Sequence, residues 1–323
     1  MRIAMAVVAI FVAGGASAGR EAQLAFTRSD HAWAMRSDGG GQHRLPIRTL
    51  PAQSPDGKWL AWWTSSGAQS RLLVARSDWG GTRELARYGF QPCFAPQWSP
   101  DSRRISYVVD CDIDLARVFV IDRDGSRRHE LRARKWNLGG EWSPDGRGLL
   151  LCSASPSTPW WFYVVDARTF ALRVVPRFHL GLGGHFRWTW APDGRTAFVE
   201  TETRLWRLDT KTGRSQELSL GLKAQSVSVS PDGQWIAYQA NPGPSDDWEI
   251  VVSHPDGSGF KQLTDNRVQD VAPHWSPDGS QIAFASGPNN KSQIYVMNAD
   301  GSRRRNLSHS SAFDASPVWV RGL

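Results

Sequence analysis

The feature that most constrains this chain is a four-residue phrase written six times. It reads Ser54-Pro55-Asp56-Gly57, Ser99-Pro100-Asp101-Ser102, Ser143-Pro144-Asp145-Gly146, Ala191-Pro192-Asp193-Gly194, Ser230-Pro231-Asp232-Gly233 and Ser276-Pro277-Asp278-Gly279. Successive copies begin 45, 44, 48, 39 and 46 residues apart. Pro presets φ for the first central position of a turn, Asp bonds its own backbone, and Gly accepts the positive φ that ends it. Before the phrase stands a short strand carrying an indole (Trp98, Trp142, Trp190, Trp275), and after it an alternating apolar strand such as Lys58-Trp59-Leu60-Ala61-Trp62. A period of this length fits one four-stranded propeller blade per repeat.

A second tight turn follows later in each unit and occurs seven times. It is written Ser37-Asp38-Gly39, Asp78-Trp79-Gly80-Gly81, Asp124-Gly125-Ser126, Asp166-Ala167-Arg168, Asp209-Thr210-Lys211, Asp256-Gly257-Ser258 and Asp300-Gly301-Ser302. Asp-Gly between apolar runs is a hairpin signal. The mismatch of six and seven has a topological reading. The unit from Gln23 to Leu45 holds strands two to four of a blade and lacks the first. Ser316-Pro317-Val318-Trp319-Val320 copies the first strand Ala272-Pro273-His274-Trp275-Ser276 and then stops. Joined, they make one blade and remove two open sheet edges. The expected fold is therefore all-β: a seven-bladed β-propeller of four-stranded blades, closed by the C-terminal strand joining the N-terminal blade. Six blades is the alternative. Seventeen tryptophans against four methionines suit such a rigid stack, because large flat side chains bury much area with few rotamers to freeze.

Phrases such as Trp275-Ser276-Pro277-Asp278-Gly279-Ser280-Gln281-Ile282-Ala283-Phe284 and Ile294-Tyr295-Val296-Met297-Asn298-Ala299-Asp300-Gly301 resemble the TolB-like β-propeller repeat. The resemblance extends across residues 19–323, read as a single domain with no separate N-terminal α/β domain. It is specific for fold and not for function, since the same repeat builds periplasmic TolB and the propellers of prolyl-oligopeptidase relatives.

Residues 1–18 read as a cleavable signal peptide: Arg2, an apolar run from Ile3 to Val12, and the small-residue site Ala16-Ser17-Ala18. Export places the mature chain in the periplasm or outside the cell, with no membrane span expected after cleavage. That environment permits disulfides. Of three cysteines, Cys93 and Cys111 are the expected pair and Cys152 a buried strand thiol. The net charge of +7 points to anionic envelope partners rather than nucleic acid. Arginines past the hairpin turns (Arg44, Arg83, Arg127, Arg128, Arg303, Arg304, Arg305) would form a basic rim.

In an up-and-down blade the Ser-Pro-Asp-Gly turns and Asp-Gly hairpins share one face, here the hairpin face. Links from strand two to three and between blades share the other, the loop face, which carries the longer irregular segments. Binding residues usually sit on such loops. Tyr88, Phe90, Trp136, His185, Phe186, Trp248, Asp270 and Asp314 are the candidate binding residues there; Trp160, Trp161 and Trp188 fall nearby. Asp270 and Asp314 share Asp-x-x-Pro-x-Trp and have two readings, a cation site or turn-forming side chains bonded to local backbone. The tryptophans at equivalent repeat positions, Trp319 included, are assigned to structure.

Gly15-Ala16-Ser17-Ala18-Gly19 matches a nucleophile pattern but lies across the cleavage site, without the strand and helix that pattern needs. No phosphate-cradling loop and no His-Glu-x-x-His occurs. No catalytic residue, metal or cofactor is expected. The functional expectation is a monomeric, non-catalytic scaffold that binds an envelope protein. The alternatives are a carbohydrate or wall-polymer binder, or a lyase or glycosidase using Glu141, Glu200, Asp270 or Asp314. Non-reducing peptide mapping should find the Cys93 and Cys111 peptides linked; two free thiols would overturn that pairing.

Overall fold

A computed structural model describes residues 22–321, except 90–91, 93, 111–115, 134–135, 156–157, 181–185, 202–203, 219–222, 242–246 and 289–290, and except the side chains at 22, 136, 154, 155, 158 and 186. The expected signal peptide, Phe90, Cys93, Cys111 and His185 lie outside the described residues, as do the side chains of Trp136 and Phe186.

Seven four-stranded antiparallel sheets make the seven-bladed β-propeller that the repeat count implies. Blade 1 orders its strands Asp314–Arg321, Ala22–Arg28, His31–Arg36 and His43–Arg44. Blade 2 runs through Ala52–Gln53, Trp59–Ser66, Gln69–Arg76 and Arg83–Tyr88, and blade 3 through Gln97–Trp98, Arg104–Val109, Arg117–Asp122 and His129–Leu131. Blade 4 is built from Trp136–Trp142, Gly148–Ser155, Thr158–Asp166 and Leu172–Leu180. Blade 5 uses Phe186–Trp190, Thr196–Thr201, Leu205–Asp209 and Ser215–Glu217. Blade 6 uses Ala224–Val229, Ile236–Ala240, Glu249–Ser253 and Lys261–Gln262, and blade 7 uses Gln269–Trp275, Gln281–Gly287, Gln293–Asn298 and Arg305–Asn306. The shared blade 1 is as the sequence requires: Leu24 faces Trp319 and Gln23 faces Val320 across the first pair of strands.

Two compact units divide the chain. Among the described residues, one takes Thr49–Gly183 and Thr210–Gly213, and so holds blades 2, 3 and 4; the other takes 22–48, Gly184–Asp209 and the residues from Arg214 on, and holds blades 5, 6, 7 and 1.

The Ser-Pro-Asp-Gly turn is a closed hydrogen-bond ring. In blade 7, Ser276 Oγ donates to Asp278 Oδ1 at 2.5 Å and accepts the Gln281 N–H at 2.9 Å. Asp278 Oδ1 also accepts the Ser280 N–H at 3.0 Å. Ser54, Ser99, Ser143 and Ser230 repeat the serine–aspartate bond at 2.5–2.6 Å. Blade 5 has Ala191 in place of serine, and Thr196 supplies the lost hydroxyl, donating to Asp193 Oδ2 at 2.7 Å. Blade 3 has Ser102 in place of the final glycine, held at φ 59°. Its Oγ accepts the Asp56 N–H of blade 2 at 3.1 Å, a bond glycine could not make, which offsets part of the left-handed strain.

Neighbouring blades within a unit are tied in two further ways. Trp98 Nε1 donates to Ala52 O at 2.9 Å, and Trp319 Nε1 to His274 O at 3.0 Å, each from one first strand to the next. The outermost strands reach across to the following hairpin: Arg83 to Asp124 O, Gln216 to Asp256 O and Lys261 to Asp300 O, at 3.0, 3.3 and 2.7 Å. The recurrent tryptophans Trp98, Trp142, Trp190, Trp275 and Trp319 are all buried, in keeping with their structural assignment. Trp319 is 1% exposed, so Trp319→Ala should cost about 3–5 kcal/mol in denaturant unfolding, lost packing and a lost bond together. Trp248→Ala, at a half-buried loop position, should cost clearly less.

Candidate functional site

The second unit displays a loop-face surface whose base is set by a repeated polar clasp. Glu249 opens the third strand of blade 6, and its Oε2 accepts the Thr264 hydroxyl at 2.6 Å while Oε1 accepts the Asn266 N–H at 3.0 Å. Thr264 Oγ1 in turn accepts the Ile250 N–H at 2.8 Å. Asn266 Nδ2 then donates to Asp270 Oδ2 at 2.6 Å, and the Asp270 N–H donates to Trp248 O at 2.7 Å. Each member has a counterpart 44 residues later: Gln293, Ser308, Ser310, Asp314 and Ser292. Gln293 Oε1 accepts the Ser310 N–H at 2.8 Å, Ser308 Oγ accepts the Ile294 N–H at 2.9 Å, and the Asp314 N–H donates to Ser292 O at 2.9 Å.

The two copies part company at the aspartate. Asp314 faces Arg28 across the strand pair, and that guanidinium grips it twice, at 2.8 Å from Nε and 3.0 Å from Nη2. Arg28 also lies 4.6 Å from the Trp33 ring centroid and donates to Gln42 Oε1 at 3.0 Å. Asp270 faces Ser286 instead, and its Oδ1 meets no hydrogen-bond partner. Both carboxylates are fully buried. Asp314 is thus neither a free ligand nor a local turn former: it anchors Arg28, a partner that the motif did not reveal because the two are 286 residues apart.

Aromatic groups are mounted on this base. Trp248 is half-buried, its N–H held by Gln269 Oε1 at 3.2 Å. Phe313 directly precedes Asp314; its carbonyl accepts the Ser29 N–H at 2.8 Å and its side chain is 39% exposed. Sequence reading singled out Trp248 and missed Phe313, which replaces the Gln269 of the preceding copy and belongs to no aromatic pattern. The usable signal was the 44-residue offset of the clasp.

The remaining candidates are placed separately. In the first unit Tyr88 joins an inter-blade aromatic group, its hydroxyl 3.1 Å from that of Tyr107 and its ring 6.0 Å from Phe119. Trp136 and Phe186 open the first strands of blades 4 and 5. Glu141 is buried in blade 4, and burial pushes its carboxyl well above the usual range; Cys152 is likewise buried, its thiol pushed up. Glu200, in the second unit, is pushed up by burial against the pull of Arg187, and its Oε2 accepts the Val227 N–H at 3.2 Å. Among the described residues no group of three or more His, Cys, Asp or Glu side chains could hold a metal, and no helix is long and apolar enough to cross a membrane.

With this geometry in view, the model of the TolB beta propeller domain matches residues 41–254. The chain belongs to the TolB β-propeller domain family. Among solved structures, TolB from Acinetobacter baumannii superposes with a TM-score of 0.57 at 18% identity, covering 92% of this chain and 81% of that one. The propeller domain of the trilobed protease from Pyrococcus furiosus gives 0.66 at 12% identity, covering 88% and 93%, and is described as having an open velcro topology. Blade 1 of the present TolB-like chain instead pairs Asp314–Arg321 with Ala22–Arg28. The uncharacterized peptidase YuxL of Bacillus subtilis is 25% identical over 210 residues, 62% of this chain and 30% of its own. More generally, the chain spans 9–34% of the length of the curated relatives it matches.

Burial pushes the Glu249 carboxyl above its ordinary value, opposed by Thr264 and the Asn266 N–H and reinforced by Asp270 and Asp265. A carboxyl raised on folding adds stability below its unfolded value, near 4.3, and loses it as pH rises through the folded value. Glu249→Gln copies the neighbouring Gln293 and removes this dependence. The variant should melt above wild type at pH 7, with the gap closing as pH falls to about 4.

Proposed function

We propose that the protein is an exported, non-catalytic propeller that binds another envelope protein through the loop face of blades 6, 7 and 1. The observation that carries this reading is the display of the half-buried Trp248 and the exposed Phe313, one beside each of two successive copies of the polar clasp. Binding energy at protein interfaces concentrates on aromatic anchors held in place before the partner arrives. The buried Arg28–Asp314 pair fixes the strand end that presents Phe313, so little ordering is left to occur on contact.

Export is supported by the Arg2, Ile3–Val12 and Ala16-Ser17-Ala18 pattern at the N-terminus. Relatives with peptidase or protease names are matched over 30% of their length or less, and no hydrolytic step is assigned on that basis. Of the buried acids, Glu249 and Asp314 have each carboxylate oxygen engaged by the fold.

The test is in-cell crosslinking of the tagged protein, with the captured partner identified, purified and titrated against variants. Phe313→Ala and Trp248→Ala should each weaken binding by about tenfold or more while leaving the melting transition of Phe313→Ala near wild type. Unchanged affinity in both variants would remove this face. A glycan that is retained in place of a protein would move the reading to wall-polymer binding.

A further inference from the structure

The opposite, hairpin end of the same unit carries groups that the fold does not use. Arg303, Arg304 and Arg305 are consecutive and exposed, and their side chains make no hydrogen bond or ion pair with any described residue. Arg303 sits at φ 53°, at the hairpin position where Gly41, Gly81 and Gly259 take 63°, 66° and 65°, and where Arg127 of blade 3, at 45°, is paired with Asp122. Glycine adopts that backbone freely and a side chain does not, so the turn itself gives no reason for an arginine. Beside it, the blade 6 hairpin presents Phe260, 45% exposed. The next residue, Lys261, reaches Asp300 O at 2.7 Å and so binds the two hairpins side by side.

The acids nearby do not cancel this charge. Asp256 and Asp300 each turn Oδ1 to the N–H two residues on, at 2.9 and 2.8 Å. Hydrogen bonds from Ser258 and Ser302 hold both carboxyls below the usual range. On these two hairpins Lys261 and the three arginines thus stand against two carboxylates, while Asp232 and Asp278 lie on the Ser-Pro-Asp-Gly turns of the same blades. On the adjoining blade 1 hairpin, Arg36 and Asp38 pair with one another at 3.3 Å.

We infer that Phe260, Lys261 and Arg303–Arg305 form a docking patch for an anionic bilayer surface. A guanidinium matches a phosphate oxygen pair, and three in succession with no partner in the fold suit the phosphates of lipid headgroups. Charge alone would serve a soluble polyanion equally well. The exposed Phe260 decides for the bilayer, because an aromatic ring gains by leaving water at the headgroup boundary and gains little against a hydrated polymer. This surface lies at the hairpin ends of the strands, away from the loop-face anchors. Its test therefore succeeds or fails independently of the protein-binding reading.

The measurement is co-sedimentation of the purified protein with vesicles of phosphatidylcholine alone or with phosphatidylglycerol, at low and high salt. Wild type should bind the phosphatidylglycerol vesicles and release as salt rises. The triple variant Arg303→Gln/Arg304→Gln/Arg305→Gln should bind about a hundredfold more weakly, at about fivefold per charge. Phe260→Ser should lose the binding that persists at high salt. The charge-matched control Arg103→Gln/Arg147→Gln/Arg168→Gln, exposed positions on blades 3 and 4, should stay near wild type. Equal binding to both vesicle types, or an equal loss in the control, would overturn the patch. Binding of inorganic polyphosphate through the same arginines without binding to vesicles would make the ligand a soluble phosphate and overturn the bilayer assignment.

Discussion

Blade 1 exists only because residues 314–321 return to pair with residues 22–28, and the Arg28–Asp314 pair and the Trp319 core are built on that pairing. A propeller whose ends did not meet would leave two strands with unpaired N–H and C=O groups, open to solvent and to other chains. The contact is among the longest-range in the chain, so its loop-closure entropy must be met before its hydrogen bonds form. The side chains at the join answer that cost. Trp319 packs into the core with Leu24, Phe26 and Met35, and Arg28 grips Asp314 across the same two strands. Cutting off one partner of such a buried pair is costly, because the other charge is left without compensation.

The loop-face clasp shows how a repeat can hold its geometry while its chemistry changes. Glu249 and Gln293 accept the same backbone N–H two positions beyond Thr264 and Ser308. One copy uses a carboxylate raised by burial, the other an amide that carries no charge. At the aspartates the divergence goes further: Asp314 meets Arg28, and Asp270 meets Ser286. A buried carboxylate oxygen without a donor is a cost that the fold carries at blade 7 and avoids at blade 1. Variation of this kind, with equivalent backbone groups held in both copies, is how a repeat protein acquires a local site without altering its blades.

The blade count, the closure and the structural tryptophans were legible in the sequence because each rests on local, periodic chemistry. A Ser-Pro-Asp-Gly turn is made of its own four residues and the strand it starts, and an indole recurring at one repeat position has to fill the same space each time. Thr196 standing in for the serine missing at Ala191 follows the same local logic. The candidate site was only partly legible. Trp248 stood out as an aromatic in a loop, whereas Phe313 did not, since nothing in its neighbours distinguishes a displayed ring from a packed one. Tyr88, singled out on the same grounds as Trp248, meets Tyr107, Phe119 and Trp63 between two blades.

The sequence by itself determined the repeat, the number of blades and the sharing of one blade between the two ends. Those follow from turn stereochemistry and the alternation of strands, which act over a few residues. Only the tertiary structure decided which acids are held and which arginines are not. Asp314 and Arg305 stand within ten residues of each other, yet the first is sealed against Arg28 and the second faces solvent. That difference arises from what the neighbouring blade places opposite each side chain. Electrostatic partners are chosen by distance in space, and in this fold the partner can be 286 residues away.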